Sequence, residues 1–265
     1  LGKVETPAIR ERMLGLLAQV DKGLANSVAE GLGMSVPSKL DKPMNMSVPA
    51  DGDPRKFQPK RVAQSIEISP ALSMINNPNF PVGTIKTRKV AVLLADGFDD
   101  AAVEGMNMAL LTAGANPKTI APRLGVVTGA NGNELKVDFS FLTGSSVLFD
   151  AVYIPGGNAS VKTLLSQPEA HEFVYEAYKH CKAIAASGAG VEFLAESLGG
   201  RFRGTEASGK EVAAYEGVVS SRDASIGNVA RAFIQAIAQH RHWERESSKQ
   251  QGVRYAYAGY RAPLK

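Results

Sequence analysis

Ser187, Cys181 and the acids between Asp96 and Glu104 are the side chains of this chain best suited to chemistry. A hydroxyl or thiol nucleophile needs a base to take its proton and donors to hold the developing oxyanion. The backbone of Pro155-Gly156-Gly157 is a candidate anion nest. Each has a plainer reading. Ser187 stands between Ala186 and Gly188, as a turn-forming serine does, and Gly156-Gly157 reads equally well as an ordinary turn. Cys181 lies seven residues before Gly188, where a buried structural thiol is expected. The plainer reading is favoured for Ser187 and Cys181, because no histidine has the sequence context of a partner base. His171, His180, His240 and His242 fall on or at the ends of expected helices, and all four are expected at the surface. His240 and His242 are two apart, on different helix faces, which is poor metal spacing. The chain contains no P-loop and no Gly-x-Gly-x-x-Gly after a strand.

The candidates sit on turns that follow short apolar runs. Val90 to Leu94, Ala151 to Ile154 and Lys182 to Ala186 read as strands buried on both faces, leading into the turns Asp96 to Asp100, Pro155 to Asn158 and Ala186 to Gly190. Helices are expected from Ala101 to Leu111, through Val161 to Leu165, from Pro168 through Tyr178, and from Val191 to Leu198. Asn158 or Ser160 is expected to cap the second of these. Short strands are expected at Lys118 to Ala121 and Leu124 to Thr128, with Glu134 to Phe139 returning as a hairpin strand across Gly129 to Gly132. Gly217 to Ser221 reads as a last strand, and Ser225 as the cap of a helix carrying Ile226, Val229, Phe233, Ile234 and Ile237 on one face. Strands alternating with helices predict an α/β fold with a doubly wound, mostly parallel sheet flanked by helices. In such a sheet the turns at the carboxyl ends of the strands converge, and ligands bind there.

Before this domain, Thr6-Pro7 opens a pattern in which Ile9, Met13, Leu16, Leu17, Val20, Leu24, Val28 and Leu32 recur at helical spacing. It predicts one amphipathic helix of about seven turns. The boundaries expected are a helix over 1–34, a Pro-rich arm over 35–87, the α/β domain over 88–243 and a polar tail over 244–265. Apolar residues scattered through the arm favour a segment lying on protein over a free linker.

Lys and Arg exceed Asp and Glu by 12 to 8 in residues 1–88 and balance them at 18 each from 89 to 265. The net +4 therefore belongs to the leading segment, and no basic cluster interleaved with aromatics suggests nucleic acid. One cysteine excludes an internal disulfide framework, and no stretch is long and apolar enough to span a membrane. Leu1 is not a start residue, so the chain reads as a fragment; its compartment is left open.

The stretches Val90-Ala-Val-Leu-Leu-Ala-Asp-Gly-Phe-Asp-Asp100, Asp150-Ala-Val-Tyr-Ile-Pro-Gly-Gly157 and Lys182-Ala-Ile-Ala-Ala-Ser-Gly-Ala-Gly190 resemble the PfpI-like, class I glutamine amidotransferase-like superfamily. That resemblance implies an acidic residue on the first turn, an anion hole on the second and a cysteine nucleophile on the third. Laid onto the pattern without gaps, Gly188 takes the cysteine position and Ala189 that of the usual histidine, while Asp99, Asp100 and Glu104 all stand near the acidic position. The leading stretch Gln19-Val-Asp-Lys-Gly-Leu-Ala-Asn-Ser-Val-Ala-Glu-Gly-Leu-Gly33, a Pro-rich connection and a PfpI-like domain together resemble the carboxyl-terminal part of large-subunit catalases.

This second resemblance implies a flavodoxin-like domain joined by a long linker to a preceding haem-containing, peroxide-decomposing core, with no cofactor in the fragment itself. It implies as partners the catalase core and the other subunits of a homotetramer, which the domain would stabilise, limiting access to the haem. The superfamily also contains chaperones, and the apolar stripe Ile9 to Leu32 would suit unfolded client proteins. The alternative expectation is a small-molecule hydrolase or glyoxalase using Cys181 or Ser187. A glutamine amidotransferase subunit ranks below both, since the required cysteine is missing.

Overall fold

The computed structural model describes residues 1–39, 52–53, 83–201 and 211–245. The greater part of the expected Pro-rich arm, and of the polar tail, lies outside the described residues. The leading helices and the α/β domain fall in separate compact units.

The expected single leading helix is two, α1 (Pro7–Val20) and α2 (Lys22–Gly31). Asp21 causes the break. Its backbone is extended, with φ −155° and ψ 126°, and its carboxylate accepts a hydrogen bond from Leu24 N at 2.7 Å. Aspartate is among the strongest helix caps, so it restarts the helix where the apolar periodicity alone would carry it through. Leu14, Ala25 and Ala29 are buried, whereas Ile9, Met13, Val20 and Leu24 remain exposed.

The second unit is built on a seven-stranded sheet. In chain order its elements are β1 (Lys89–Leu93), α3 (Asp100–Thr112), β2 (Asn116–Ala121), the hairpin β3 (Gly125–Thr128) and β4 (Glu134–Val137), and β5 (Phe139–Ser140). There follow β6 (Ala151–Ile154), α4 (Asn158–Leu165), α5 (Pro168–Lys179), β7 (Ala183–Ser187), α6 (Gly190–Leu198), β8 (Ala213–Tyr215), β9 (Val218–Ser221) and α7 (Ile226–Ala238). The strand order is β5-β2-β1-β6-β7-β9-β8, parallel throughout except for the edge strand β8, which pairs antiparallel with β9. Strand order reverses between β1 and β6, the position where doubly wound sheets open a crevice.

Alternation along each strand divides the core into two layers. Val90, Val92, Tyr153, Ala185 and Val219 face the side that holds Met106, Leu110, Phe233 and Ile237 of α3 and α7. Ala91, Leu93, Val152, Ile154, Ile184 and Ala186 face Leu164, Val174 and Leu194 of α4, α5 and α6. Because both faces are covered, the central strands carry uninterrupted apolar runs.

Two expected caps act differently. Gly157 occupies the cap position of α4, and the buried Ser160 hydroxyl instead accepts from Ala95 N at 2.9 Å, joining α4 to the end of β1. Ser225 stands at the cap of α7 without a side-chain hydrogen bond.

The chain after α7 passes beneath the amino ends of the strands. His242 N donates to Cys181 O at 2.8 Å, and the His242 ring, expected at the surface, is 3% exposed with Nε2 3.0 Å from Ala236 O. Arg245, read as part of the polar tail, is fully buried. It donates to Glu216 O at 2.7 Å, Lys182 O at 2.8 Å and Tyr178 O at 3.2 Å, with its guanidinium 4.6 Å from the Tyr178 ring centre. Burial draws its pKa down to about 10, leaving it charged at neutral pH.

Burial, reinforced by Arg241 and Arg88, holds His240 down to about pKa 4, and burial beside Arg245 also lowers His242. The unfolded chain, with imidazoles near their ordinary 6.5, binds more protons than the folded chain between those values. Stability contributed by His240 is therefore present above pH 6.5 and lost as pH falls toward 4, and His242 contributes in the same direction. Urea unfolding at a series of pH values should show the decline, and a His240→Gln, His242→Gln double variant should flatten it. A double variant with the wild-type pH slope would refute this assignment.

Candidate functional site

Strand β7 delivers Ser187 to the carboxyl edge of the sheet, and the chain turns into α6 through Gly188, which holds φ +55°. Strand-to-helix elbows of this kind expose a residue in a strained conformation, the arrangement that serves nucleophiles in α/β enzymes. Here the strained residue has no side chain. Ala189 follows with ordinary helical angles.

The elbow packs against the turn after β6. A methyl group on Gly190 would lie 2.5 Å from both Ile154 O and Pro155 O, so only hydrogen fits between α6 and that turn. Gly157, with φ +106°, approaches the first turn as closely, since a Cβ there would lie 2.3 Å from Gly97 O and 2.7 Å from Phe98 Cα. Gly156 O in turn accepts from Asp99 N at 3.0 Å. The Pro155–Gly157 segment, read from sequence as an anion nest or a turn, thus has a packing reason for its glycines.

Asp99, Ser187 and Gly188 line one open cleft of about 240 Å³, together with Arg222 and Ile226. Asp99 caps α3, its carboxylate accepting from Ala102 N at 3.0 Å. Asp100 is buried and accepts from Asn131 N at 2.8 Å and Asn133 N at 3.1 Å, which commits it to the turn between β3 and β4. Glu104 lies exposed on α3 and does not line the cleft. Cys181 is fully buried on the turn before β7. The strand β7 separates it from Ser187, so the two stand at opposite edges of the sheet.

The Ser187 hydroxyl is 2.7 Å from the Tyr153 hydroxyl, which lies 3.4 Å from Ala102 O. Burial, with Asp99 adding to it, pushes the Tyr153 phenol well above its ordinary range against the opposing hydrogen bond from Ser187. A phenol so perturbed stays protonated at neutral pH and cannot take the serine proton. Among the described residues no histidine or carboxylate hydrogen-bonds Ser187.

Sequence reasoning missed Tyr153, Arg222 and Ile226. Tyr153 did leave a signal: a hydroxyl in a strand buried on both faces needs a partner. The register pairs Tyr153 with Ala185, so Ser187, two residues further along β7, faces the same way.

A haem requires an axial ligand such as histidine, cysteinate, methionine or tyrosinate. The cleft lining offers none, and among the described residues no three His, Cys, Asp or Glu side chains cluster as a metal site. The lining of this cleft therefore does not fit haem.

Residues 86–247 match the family described as the C-terminal domain found in long catalases. Over 252 residues the chain is 36% identical to Catalase HPII of Mycobacterium avium, covering 93% of this chain and 32% of that protein. It is 32% identical to Catalase-2 of Bacillus subtilis over 246 residues, 92% of this chain and 30% of that protein. The chain thus spans about a third of the length of these curated relatives. Among solved structures, a ThiJ/PfpI domain protein from Brachyspira murdochii aligns over 57% of this chain and 97% of its own, at 18% identity and a TM-score of 0.49.

Proposed function

Because this chain belongs to the family of C-terminal domains found in long catalases, we propose that it is a module without chemistry of its own, stabilising a parent haem enzyme that decomposes hydrogen peroxide. The observation that carries this reading is the glycine at the elbow. At the bend where a nucleophile would stand, Gly188 presents only backbone, and the adjacent Ser187 is tied to a protonated tyrosine. The relatives' names support a catalase core as partner, and the reading adds the other subunits of a homotetramer. Haem belongs to that core.

Removing the domain from the parent enzyme should shorten the half-life of peroxide turnover at elevated temperature while leaving initial activity at 25 °C nearly unchanged. Equal half-lives with and without the domain would defeat the stabilising role. The isolated chain should turn over an ester and aldehyde panel no faster than buffer, and Ser187→Ala and Cys181→Ala should change nothing. Turnover abolished by Ser187→Ala would restore the hydrolase reading.

A second role draws on the exposed residues Ile9, Met13, Val20 and Leu24 of α1 and α2. Apolar side chains grouped on one short segment bind other apolar chains, so the fragment acts as a holdase. A several-fold molar excess should suppress aggregation of a heat-denatured client, and absence of protection would remove this role.

A further inference from the structure

Opposite the cleft, at the amino ends of the strands, basic groups gather around one carboxylate. The pairings Val90 with Ala151 and Ala151 with Ala183 place Asp150 between Lys89 and Lys182. Asp150 accepts from Lys89 N at 2.9 Å and pairs with Arg88 at 3.3 Å. Lys182 is 4% exposed, and its ammonium donates to Ser146 O. The segment after α7 brings His240 and Arg241 to the same place through the bond from His242 N to Cys181 O. Proximity shows in the electrostatics: burial and then Arg241 lower Lys182 to about pKa 8, with Asp150 opposing, and Asp150 also acts on His240 and Arg241.

The arrangement is incomplete in charge and in hydrogen bonding. Arg88 takes the carboxylate of Asp150, and among the described residues neither Lys182 nor Arg241 has an ion-pair partner. The Nδ1 atom of His240 is buried with no hydrogen-bond partner among those residues. Cations and ring nitrogens withdrawn from water carry a cost unless an anion or acceptor meets them.

We propose that Lys182, His240 and Arg241 form a binding site for a small tetrahedral oxyanion of the phosphate or sulfate class. The guanidinium offers paired donors that match two oxygens of such an ion, and the ammonium supplies a point charge. His240, as its Nδ1–H tautomer, donates a third bond while remaining neutral. The site is independent of the elbow and of the stabilising role proposed above. Its rival explanation is that the cations complement only the carbonyl ends of α5 and α7, which finish at this edge.

Thermal unfolding of the 265-residue chain, titrated with inorganic phosphate in the low-millimolar range against chloride at matched ionic strength, separates the two. The site predicts a saturating rise in Tm, with phosphate at ten times its Kd shifting the folding equilibrium about elevenfold. Arg241→Gln should abolish the saturation. Should that variant not fold, calorimetric titration of the unaltered chain with phosphate must still give a saturating heat. A rise that does not saturate, or that Arg241→Gln retains, is the general effect of an excluded salt and overturns the site. So does the absence of any difference from chloride, or of a saturating heat.

Discussion

Gly157→Ala is expected to destabilise the α/β domain by about 3–5 kcal/mol, combining left-handed backbone strain with overpacking. The residue holds φ +106°, and the added methyl would stand 2.3 Å from Gly97 O, 2.7 Å from Phe98 Cα and 2.8 Å from Asp99 N. These are backbone atoms of the turn joining β1 to α3, so relief requires the whole turn to retreat. Moving it strains the bonds from Asp99 N to Gly156 O and from Gly97 N to Thr128 O. The neighbouring Gly156→Ala is the control. Its methyl would meet Ala189 N at 3.4 Å and Gly188 Cα at 3.5 Å, close to ordinary contact, and should cost about 1 kcal/mol or less. Denaturant unfolding of both variants distinguishes the positions. Equal costs at 156 and 157 would mean that the close approach of the two turns does not govern stability.

Arg245→Ala should cost about 3 kcal/mol or more, through carbonyls deprived of a donor and a lost ring contact. The side chain is fully buried and serves three separate pieces of chain: the turn before β9 through Glu216 O, the end of α5 through Tyr178 O, and the entry to β7 through Lys182 O. No smaller residue reaches all three. Arg245→Lys should recover only part of the loss, because an ammonium keeps the charge but lacks the planar fork. Urea unfolding with an unchanged m-value would report this as native-state destabilisation. An Arg245→Ala domain as stable as the original would show that the segment after α7 is an ornament on an already complete fold.

The layering of this domain was legible because both faces of its sheet are buried. Runs such as Val90 to Leu93 and Ala151 to Ile154 admit few other readings. The hairpin β3–β4 was equally plain, since Gly129 and Gly132 bracket its turn. Less legible were features in which a polar side chain overrides a periodic pattern. Asp21 splits a helix that its apolar spacing would have continued, and β8 is three residues at the sheet edge, with little burial to mark it.

At the site, residue identity alone established what stands after the apolar run of β7: a serine, a glycine and an alanine, with no thiol and no imidazole. It also established the order of most strands and helices of the α/β domain, β5 and β8 excepted, because periodicity is a local property of the chain. Only the folded arrangement decided that Ser187 meets Tyr153, that Gly157 lies against Gly97, and that Arg245 is drawn beneath the sheet. Those contacts join residues tens of positions apart. They depend on strand register and on how closely backbones approach, quantities that no local pattern of residue types encodes.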